Sequence, residues 1–223
     1  MTSPWTVIII LGIVLQVLVC DELLRGRHYR NYPLLFAYSL FLLINTLVNA
    51  ATYFEIKGRW SIATMKYYWI GDTILQALIY ILVISLINRA LKGSPKRNVV
   101  RIRLVLAAVL IALVSFYVFY DRHPGRWMTV VSRNLSFVAA LFNLILWFTL
   151  LRIENRDHTL LLITGGLGIQ TAGEAIAQSL KQISPQFVTG GHLMAAFANI
   201  ACLAVWWTAF RRARGVTDII EKR

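Results

Sequence analysis

Residues 33–54 read PLLFAYSLFLLINTLVNAATYF, a run of 22 residues that contains no Asp, Glu, Lys or Arg. A helix of that length rises about 33 Å, at about 1.5 Å per residue, which is enough to cross the hydrocarbon core of a bilayer. Stretches of the same kind recur along the chain, and the charged residues are grouped between them. We therefore predict an all-α, polytopic membrane helical bundle in which each apolar stretch is a transmembrane helix.

Seven such segments can be recognised, and each has about the length that a spanning helix requires. They cover residues 4–20, 33–54, 67–88, 102–120, 128–151, 159–180 and 191–210. Met1–Trp5 contains no Lys or Arg. Because a secretory signal peptide begins with a basic region, we predict that the first segment is a retained helix. Residues 1–223 are predicted to form a single integral membrane domain.

The chain is 58% hydrophobic, only 15% of its residues are charged, and its formal net charge is +13. In a soluble protein that charge would suggest nucleic-acid binding. Here the basic residues flank apolar segments, where Lys and Arg mark the cytoplasmic side and meet anionic lipid. The predicted partner of these residues is therefore the lipid bilayer, and no nucleic acid is expected.

The distribution of Lys and Arg predicts the orientation. The loops after the first, third and fifth segments, together with the C-terminal tail, contain 16 basic residues, whereas the opposite side contains 7. The side richer in Lys and Arg is cytoplasmic in most membrane proteins. This places the N-terminus outside and, with seven crossings, the C-terminus in the cytoplasm.

Four polar residues from four segments are predicted to lie at one depth. Asn49, Asp72, Arg133 and Glu174 each stand five to six residues inside the outer border of a segment, which corresponds to about 8 to 9 Å at the helical rise. Ionisable groups inside a bilayer are costly unless they are paired or hydrated, and they often mark functional sites.

Helical spacing adds amides to the same faces. Gln76 follows Asp72 by four residues, Gln170 precedes Glu174 by four, and Asn45 precedes Asn49 by four, so each pair shares one side of its helix. One hypothesis is a pocket, open to the outside, that binds a ligand or an ion or relays protons. The other is a set of ion pairs and hydrogen bonds that only holds the helices together.

No cofactor or metal site is predicted. The four histidines lie in or beside loops, His28 and His158 on the inner side and His123 and His192 on the outer side. Facing histidines can hold haem, so they are candidates for a haem or pigment site, with solvated histidines as the alternative. The motifs of zinc proteases, of Walker-type phosphate loops and of serine hydrolases are not found in the sequence. We therefore expect a protein that is not an enzyme and has no catalytic residues.

Two stretches carry a resemblance to known proteins. Residues 27–38, RHYRNYPLLFAY, and residues 67–72, YYWIGD, resemble those of a group of small bacterial seven-helix membrane proteins with no assigned activity. The resemblance implies a multi-pass protein of the bacterial cytoplasmic (inner) membrane. The layout also looks like the seven-helix input modules of sensor kinases, without an effector domain.

Three functional hypotheses follow. The first is a non-enzymatic, sensor-like or accessory subunit that acts through a membrane protein partner or a homo-oligomer. The second is a small proton- or ion-coupled transporter that uses Asp72 and Glu174. The third is a haem- or pigment-associated subunit of an energy-converting membrane complex.

Overall fold

The computed structural model describes residues 4–56, 62–90, 124–151 and 157–221, together with scattered positions between 98 and 117. All regular secondary structure in these parts is helical. Six long helices are present in the described ranges. They are α1 (Pro4–Arg25), α2 (Pro33–Ile56), α3 (Ile62–Ala90), α4 (Pro124–Leu151), α5 (His158–Ile183) and α6 (Val188–Glu221).

Every one of these helices contains its predicted apolar segment, and most extend further at one or both ends. The largest difference is at α6, which continues for eleven residues past the predicted end at 210. The apolar run marks the part of a helix that suits a bilayer. Backbone hydrogen bonds continue equally well through charged residues outside it, and hydropathy therefore located the segments but not the helix ends.

Five of the six helices are long and apolar enough to cross a membrane by length and composition. In α4 the stretch that qualifies is shorter, Ser136–Phe148. The predicted fourth segment, 102–120, lies largely outside the described residues, and the positions that are described within it, including Ile102, Leu106 and Leu110, are helical and exposed. The structure thus supports an all-helical protein with several candidate spans, whereas the predicted count of seven goes beyond what it describes.

The exposed surface of the bundle is apolar. In α1 the large side chains of Val7, Ile10, Val14 and Val17 are about half exposed, and their spacing of three to four residues places them on one outward face. The outward faces of α2 and α4 are similar. Water would not favour so much contiguous apolar surface, but lipid does. The arrangement is compatible with an integral membrane protein.

Packing follows the order of the chain and closes on itself. Each described helix packs against the next, α3 packs directly on α4, and α6 returns to α1. The α5–α6 contact is the most extensive, and small residues permit it: a Cβ added to Gly173 would overlap that of Ala198, and one added to Gly166 would lie 2.9 Å from the Trp206 ring. Close helix approach at small residues is typical of membrane bundles.

At one end of the bundle a short connection joins α1 to α2. After Arg25 the chain turns through Arg27, whose φ of 50° is in the left-handed region, and a short 3₁₀ turn leads to Pro33, the first residue of α2. Proline suits that first position because it has no amide hydrogen to leave unpaired. At the same end the Asp157 carboxylate accepts a hydrogen bond from the Leu160 amide, 3.1 Å, and caps α5.

Candidate functional site

A partly buried hydrogen bond joins α3 to α5. The side-chain nitrogen of Gln76 donates to Oε2 of Glu174 at 2.5 Å, and Gln76 is only 2% exposed. Both residues are polar positions within otherwise apolar helical stretches. Removing a carboxylate from water is costly unless it gains partners, and a hydrogen bond to a charged group is among the stronger kinds. Gln76 is one such partner.

Two further charged residues interact with this carboxylate. Asp72, one helical turn before Gln76 on α3, lies near enough to Glu174 to interact with it electrostatically. Lys181, two turns after Glu174 on α5, interacts with both carboxylates. Three charged groups of mixed sign are therefore brought together between α3 and α5.

A second hydrogen bond, which is buried, connects α2 to the same group of residues. Gln170 lies one turn before Glu174, and its side-chain nitrogen donates to the hydroxyl oxygen of Tyr38 at 2.6 Å. Tyr38 is 1% exposed, interacts electrostatically with Glu174, and meets the Trp206 ring of α6 edge-on with centroids 5.9 Å apart. We refer to these six residues as the Glu174 cluster: Tyr38, Asp72, Gln76, Gln170, Glu174 and Lys181.

The remaining predicted site residues have different positions. Asn45 is buried against α3, where its Oδ1 would lie 2.5 Å from a Cβ added to Gly71. Asn49 is half-buried on α2 and has a polar or electrostatic contact. Arg133 belongs to α4, but its side chain lies outside the described part of the structure. The structure thus brings together Asp72, Gln76, Gln170 and Glu174, with Asn45 beside them.

Two members of the cluster were not predicted from the sequence. Lys181 was counted as a loop residue because it lies just past the predicted end of its segment at 180, whereas α5 continues to Ile183. Tyr38 lies seven residues before Asn45 and so shares its face of α2. That spacing was the available signal, but a tyrosine near the end of a segment is also typical of the membrane interface.

A second polar cluster lies at the end of the bundle that contains the α1–α2 connection. Arg214 of α6 forms an ion pair with Glu22 of α1, with 2.9 Å between Nη1 and Oε2, and the Glu22 side chain is 9% exposed. The His28 ring packs on Phe210, with centroids 5.4 Å apart. Burial lowers the pKa of His28, as does the nearby charge of Arg214, while Glu22 acts in the opposite direction.

Tyr32 links further elements at this end. Arg89 of α3 lies over the Tyr32 ring, 4.1 Å from its centroid, and donates a hydrogen bond to the Asn31 carbonyl at 2.6 Å. The Tyr32 hydroxyl donates to Asp157, the residue that caps α5. Burial and the Asp157 carboxylate raise the pKa of Tyr32 to about 12, against the smaller opposing effect of Arg89. We call this group the Tyr32 cluster: Glu22, His28, Tyr32, Arg89, Asp157, Phe210 and Arg214.

The histidines considered for haem are dispersed among these environments. His28 belongs to the Tyr32 cluster, His158 is the exposed first residue of α5, and His192 is exposed near the start of α6. His123 lies outside the described residues. Within the described ranges no group of three or more His, Cys, Asp or Glu side chains is suitably placed to hold a metal ion. Cys20 and Cys202 are both buried and free.

The two clusters differ in what they can do chemically. The Tyr32 cluster joins helix ends and connecting segments, with Arg214 about one third exposed. The Glu174 cluster is a set of carboxylates and amides inside the bundle. Ionisable groups in such a position often mark a binding or transport site. No protein-family model, curated protein or solved structure matches the chain, so the geometry of the Glu174 cluster is the main guide to function.

Proposed function

We propose that the chain is a small cation-coupled carrier of seven transmembrane helices, with the Glu174 cluster as its cation-binding site. The N-terminus is outside and the C-terminus is in the cytoplasm. Support for this orientation comes from the excess of Lys and Arg on one side. The Tyr32 cluster, with Arg89 and Arg214, is then at the cytoplasmic surface, and the resemblance to small bacterial proteins favours the cytoplasmic (inner) membrane.

The observation that carries the proposal is the partly buried Gln76–Glu174 hydrogen bond, with Asp72 near enough to interact with Glu174 electrostatically. Holding two membrane helices together with a carboxylate requires burying a charge, which is energetically unfavourable. Amide and hydroxyl side chains form such contacts without a charge. Two carboxylates with one ammonium group have a property that amides lack. They take up a cation, either a proton or a metal ion, and release it when the site opens.

The roles of the residues follow from their contacts. Glu174 binds the cation directly, and Asp72 adds negative charge beside it. Gln76 holds the Glu174 carboxylate in position from the opposite helix. Lys181 balances part of the charge when the site is empty. Tyr38 and Gln170 connect the same site to α2.

Ion flux into proteoliposomes tests the proposal. The probes are a trapped pH-sensitive dye for protons, and ²²Na⁺ and ⁸⁶Rb⁺ for alkali metal ions. Wild-type protein should carry at least one of them, and Asp72→Asn and Glu174→Gln should reduce that flux by about tenfold or more, the size expected when one charge of a buried charged group is lost. Glu22→Gln is the matched control, since it makes the same chemical change in the Tyr32 cluster and should leave the flux in place.

The results separate the proposal from its alternatives. Flux that persists in both cluster variants would exclude the assigned site. Folded protein that binds a cation but moves none of the three probes would exclude the carrier and favour the sensor-like or accessory module. That alternative also predicts co-purification with a partner membrane protein in a gentle detergent.

A further inference from the structure

The Glu174 cluster and its neighbour Asn45 contain three buried amide oxygens that no described group satisfies. Oε1 of Gln76, Oε1 of Gln170 and Oδ1 of Asn45 have no hydrogen-bond partner among the described residues, and the three residues are between 2% and 8% exposed. A buried polar atom without a partner costs about 1–3 kcal/mol. Such an atom in a native interior is usually satisfied by a water molecule or an ion.

The orientation of the Gln76 amide is determined by the partner of its nitrogen. The Gln76 nitrogen faces the Glu174 carboxylate, and the Gln170 nitrogen faces the Tyr38 hydroxyl. A flip of the Gln76 amide would turn an oxygen towards a carboxylate, so its oxygen must remain on the unpartnered side. The Gln170 amide stands one turn from Glu174 on the same face of α5. Both free oxygens therefore belong to amides that are immediate neighbours of the carboxylate.

We propose that the Glu174 cluster binds a monovalent metal cation of the size of Na⁺, coordinated by the Glu174 carboxylate and by the amide oxygens of Gln76 and Gln170. Asn45 lines the α2 side of the site. The inference rests on the proposed function, because it names the cation that the same site takes. Hard cations prefer oxygen ligands, carboxylates and amide carbonyls among them.

The amide oxygens distinguish a metal ion from a proton. A proton on Glu174 makes the carboxyl group a donor of one hydrogen bond, which satisfies at most one of the amide oxygens. A metal cation has several coordination positions and satisfies the acceptors around it at once. Unpartnered oxygens also occur at Gln16 and Asn143, but the Glu174 cluster adds Asp72 and Glu174 to them.

Charge selects a monovalent ion. Among the described side chains of the cluster, Asp72 and Glu174 contribute two negative charges and Lys181 one positive charge. One monovalent cation makes this group neutral, whereas a divalent cation leaves a net positive charge in the membrane interior. An uncompensated charge there is costly. The site is therefore predicted to prefer Na⁺ or Li⁺ to Ca²⁺.

Equilibrium binding of ²²Na⁺ to the purified full-length protein is the direct test, with choline chloride added to keep the ionic strength constant. Wild-type protein should bind about one ion per chain, in competition with Li⁺ and only weakly with Ca²⁺. Thermal unfolding should shift to higher temperature in NaCl compared with choline chloride, because a ligand that binds only the folded state stabilises it. This second readout needs no variant.

Substitutions then identify which amide oxygens coordinate the cation. Gln76→Met and Gln170→Met remove an amide while keeping a similar side-chain length, and each should weaken ²²Na⁺ binding by about tenfold or more, the usual scale for losing a group that holds or orients a metal ion. Gln16→Met is the matched control. Gln16 is equally buried and also has an unpartnered Oε1, but its nitrogen donates to Thr46, 3.1 Å away between α1 and α2. The Gln16→Met variant should bind Na⁺ as wild type does.

Binding and flux measurements can exclude the metal site and the carrier separately. Equal unfolding temperatures in NaCl and choline chloride, with no specific ²²Na⁺ binding by wild type, would overturn the metal site and leave bound water as the partner of the three oxygens. Proton flux could still occur in that case. Conversely, Na⁺ binding that depends on Gln76 and Gln170 without any ion flux would retain the site and exclude the carrier.

Discussion

Glu22 and Arg214 form an ion pair between the first and last described helices, with 2.9 Å between Oε2 and Nη1. The pair is unevenly exposed, since the Glu22 side chain is 9% exposed and that of Arg214 is 32% exposed. Glu22 therefore depends on Arg214 more than Arg214 depends on Glu22. The pair closes the ring of described helices at the end that the distribution of Lys and Arg predicts to be cytoplasmic.

Arg214→Gln should consequently destabilise the protein by about 2 kcal/mol, because it leaves a mostly buried carboxylate without its partner. This loss of stability is smaller than that for a fully buried ion pair because Arg214 is partly solvated. Unfolding in detergent, followed by far-ultraviolet circular dichroism, measures the change. Asp21→Asn is the control, since the Asp21–Arg25 pair is exposed on both sides and should contribute about 0.5 kcal/mol or less. Equal effects of the two variants would contradict the structural account of this end.

Protonation of His28 should destabilise the fold. Burial of the ring against Phe210 lowers the pKa of His28 below its ordinary value of 6.5, Arg214 acts in the same direction, and Glu22 opposes both. A histidine with a lowered pKa in the folded state stabilises the fold fully above its unfolded pKa and loses that contribution as the pH falls through the folded value. The unfolding temperature of wild type should therefore decrease below pH 6.5.

His28→Gln removes the titrating group and should make the unfolding temperature less dependent on pH in this range. The exposed His158 provides the control, and His158→Gln should retain the wild-type pH profile. If the unfolding temperature of His28→Gln depended on pH as that of wild type does, the titrating group would be a residue other than His28.

The Glu174 cluster shows which parts of a membrane site are visible in a sequence. Asp72, Gln76, Gln170 and Glu174 were found because a polar residue in an apolar segment is conspicuous, and because a spacing of four residues on a helix is local information. Depth in the segment predicted that they lie close together, and in the structure a hydrogen bond joins Gln76 of α3 to Glu174 of α5. Lys181 was missed because its role depends on where α5 ends, which hydropathy does not determine.

The Tyr32 cluster was not anticipated, for a different reason. Its residues come from the ends of α1, α3 and α6, the start of α5 and the connection between α1 and α2. Their proximity results from the order in which the helices pack, and residue spacing contains no information about that order. Arg89 and Arg214 were instead counted only as basic residues of the cytoplasmic side. Their contacts with Tyr32 and Glu22 add a structural role to that one.

The indole of Trp206 fastens α6 to α5. Its nitrogen donates to the Ile163 carbonyl at 2.9 Å, the ring is fully buried, and it lies close to Gly166. Trp206→Phe removes the donor and part of the ring, which should cost about 2–4 kcal/mol from the lost hydrogen bond and the cavity together. Trp207→Phe is the neighbouring control. Trp207 is only half-buried, with Arg211 over its ring, so the same change should have a much smaller effect on the free energy of unfolding.

The close approach of α5 and α6 at Gly173 connects packing to the site, because Gly173 immediately precedes Glu174. A Cβ at Gly173 would overlap that of Ala198, and α5 would have to move away from α6. Gly173→Ala should therefore destabilise the protein by about 1–3 kcal/mol, the usual cost of overpacking a close contact. Because the displaced segment includes Glu174, the same variant should also reduce ion flux and ²²Na⁺ binding.

A second substitution tests whether the contact itself is responsible. Ala198→Gly in the Gly173→Ala background exchanges the two residues across the interface and should recover most of the lost stability and cation binding. Gly12→Ala is the control for helix propensity, since no described residue lies within 4 Å of its added Cβ and alanine is favoured over glycine in a helix by up to about 1 kcal/mol. If Gly173→Ala behaved like Gly12→Ala, the α5–α6 contact would not position Glu174. Rescue by Ala198→Gly in both assays would show that helix packing and cation binding depend on the same contact.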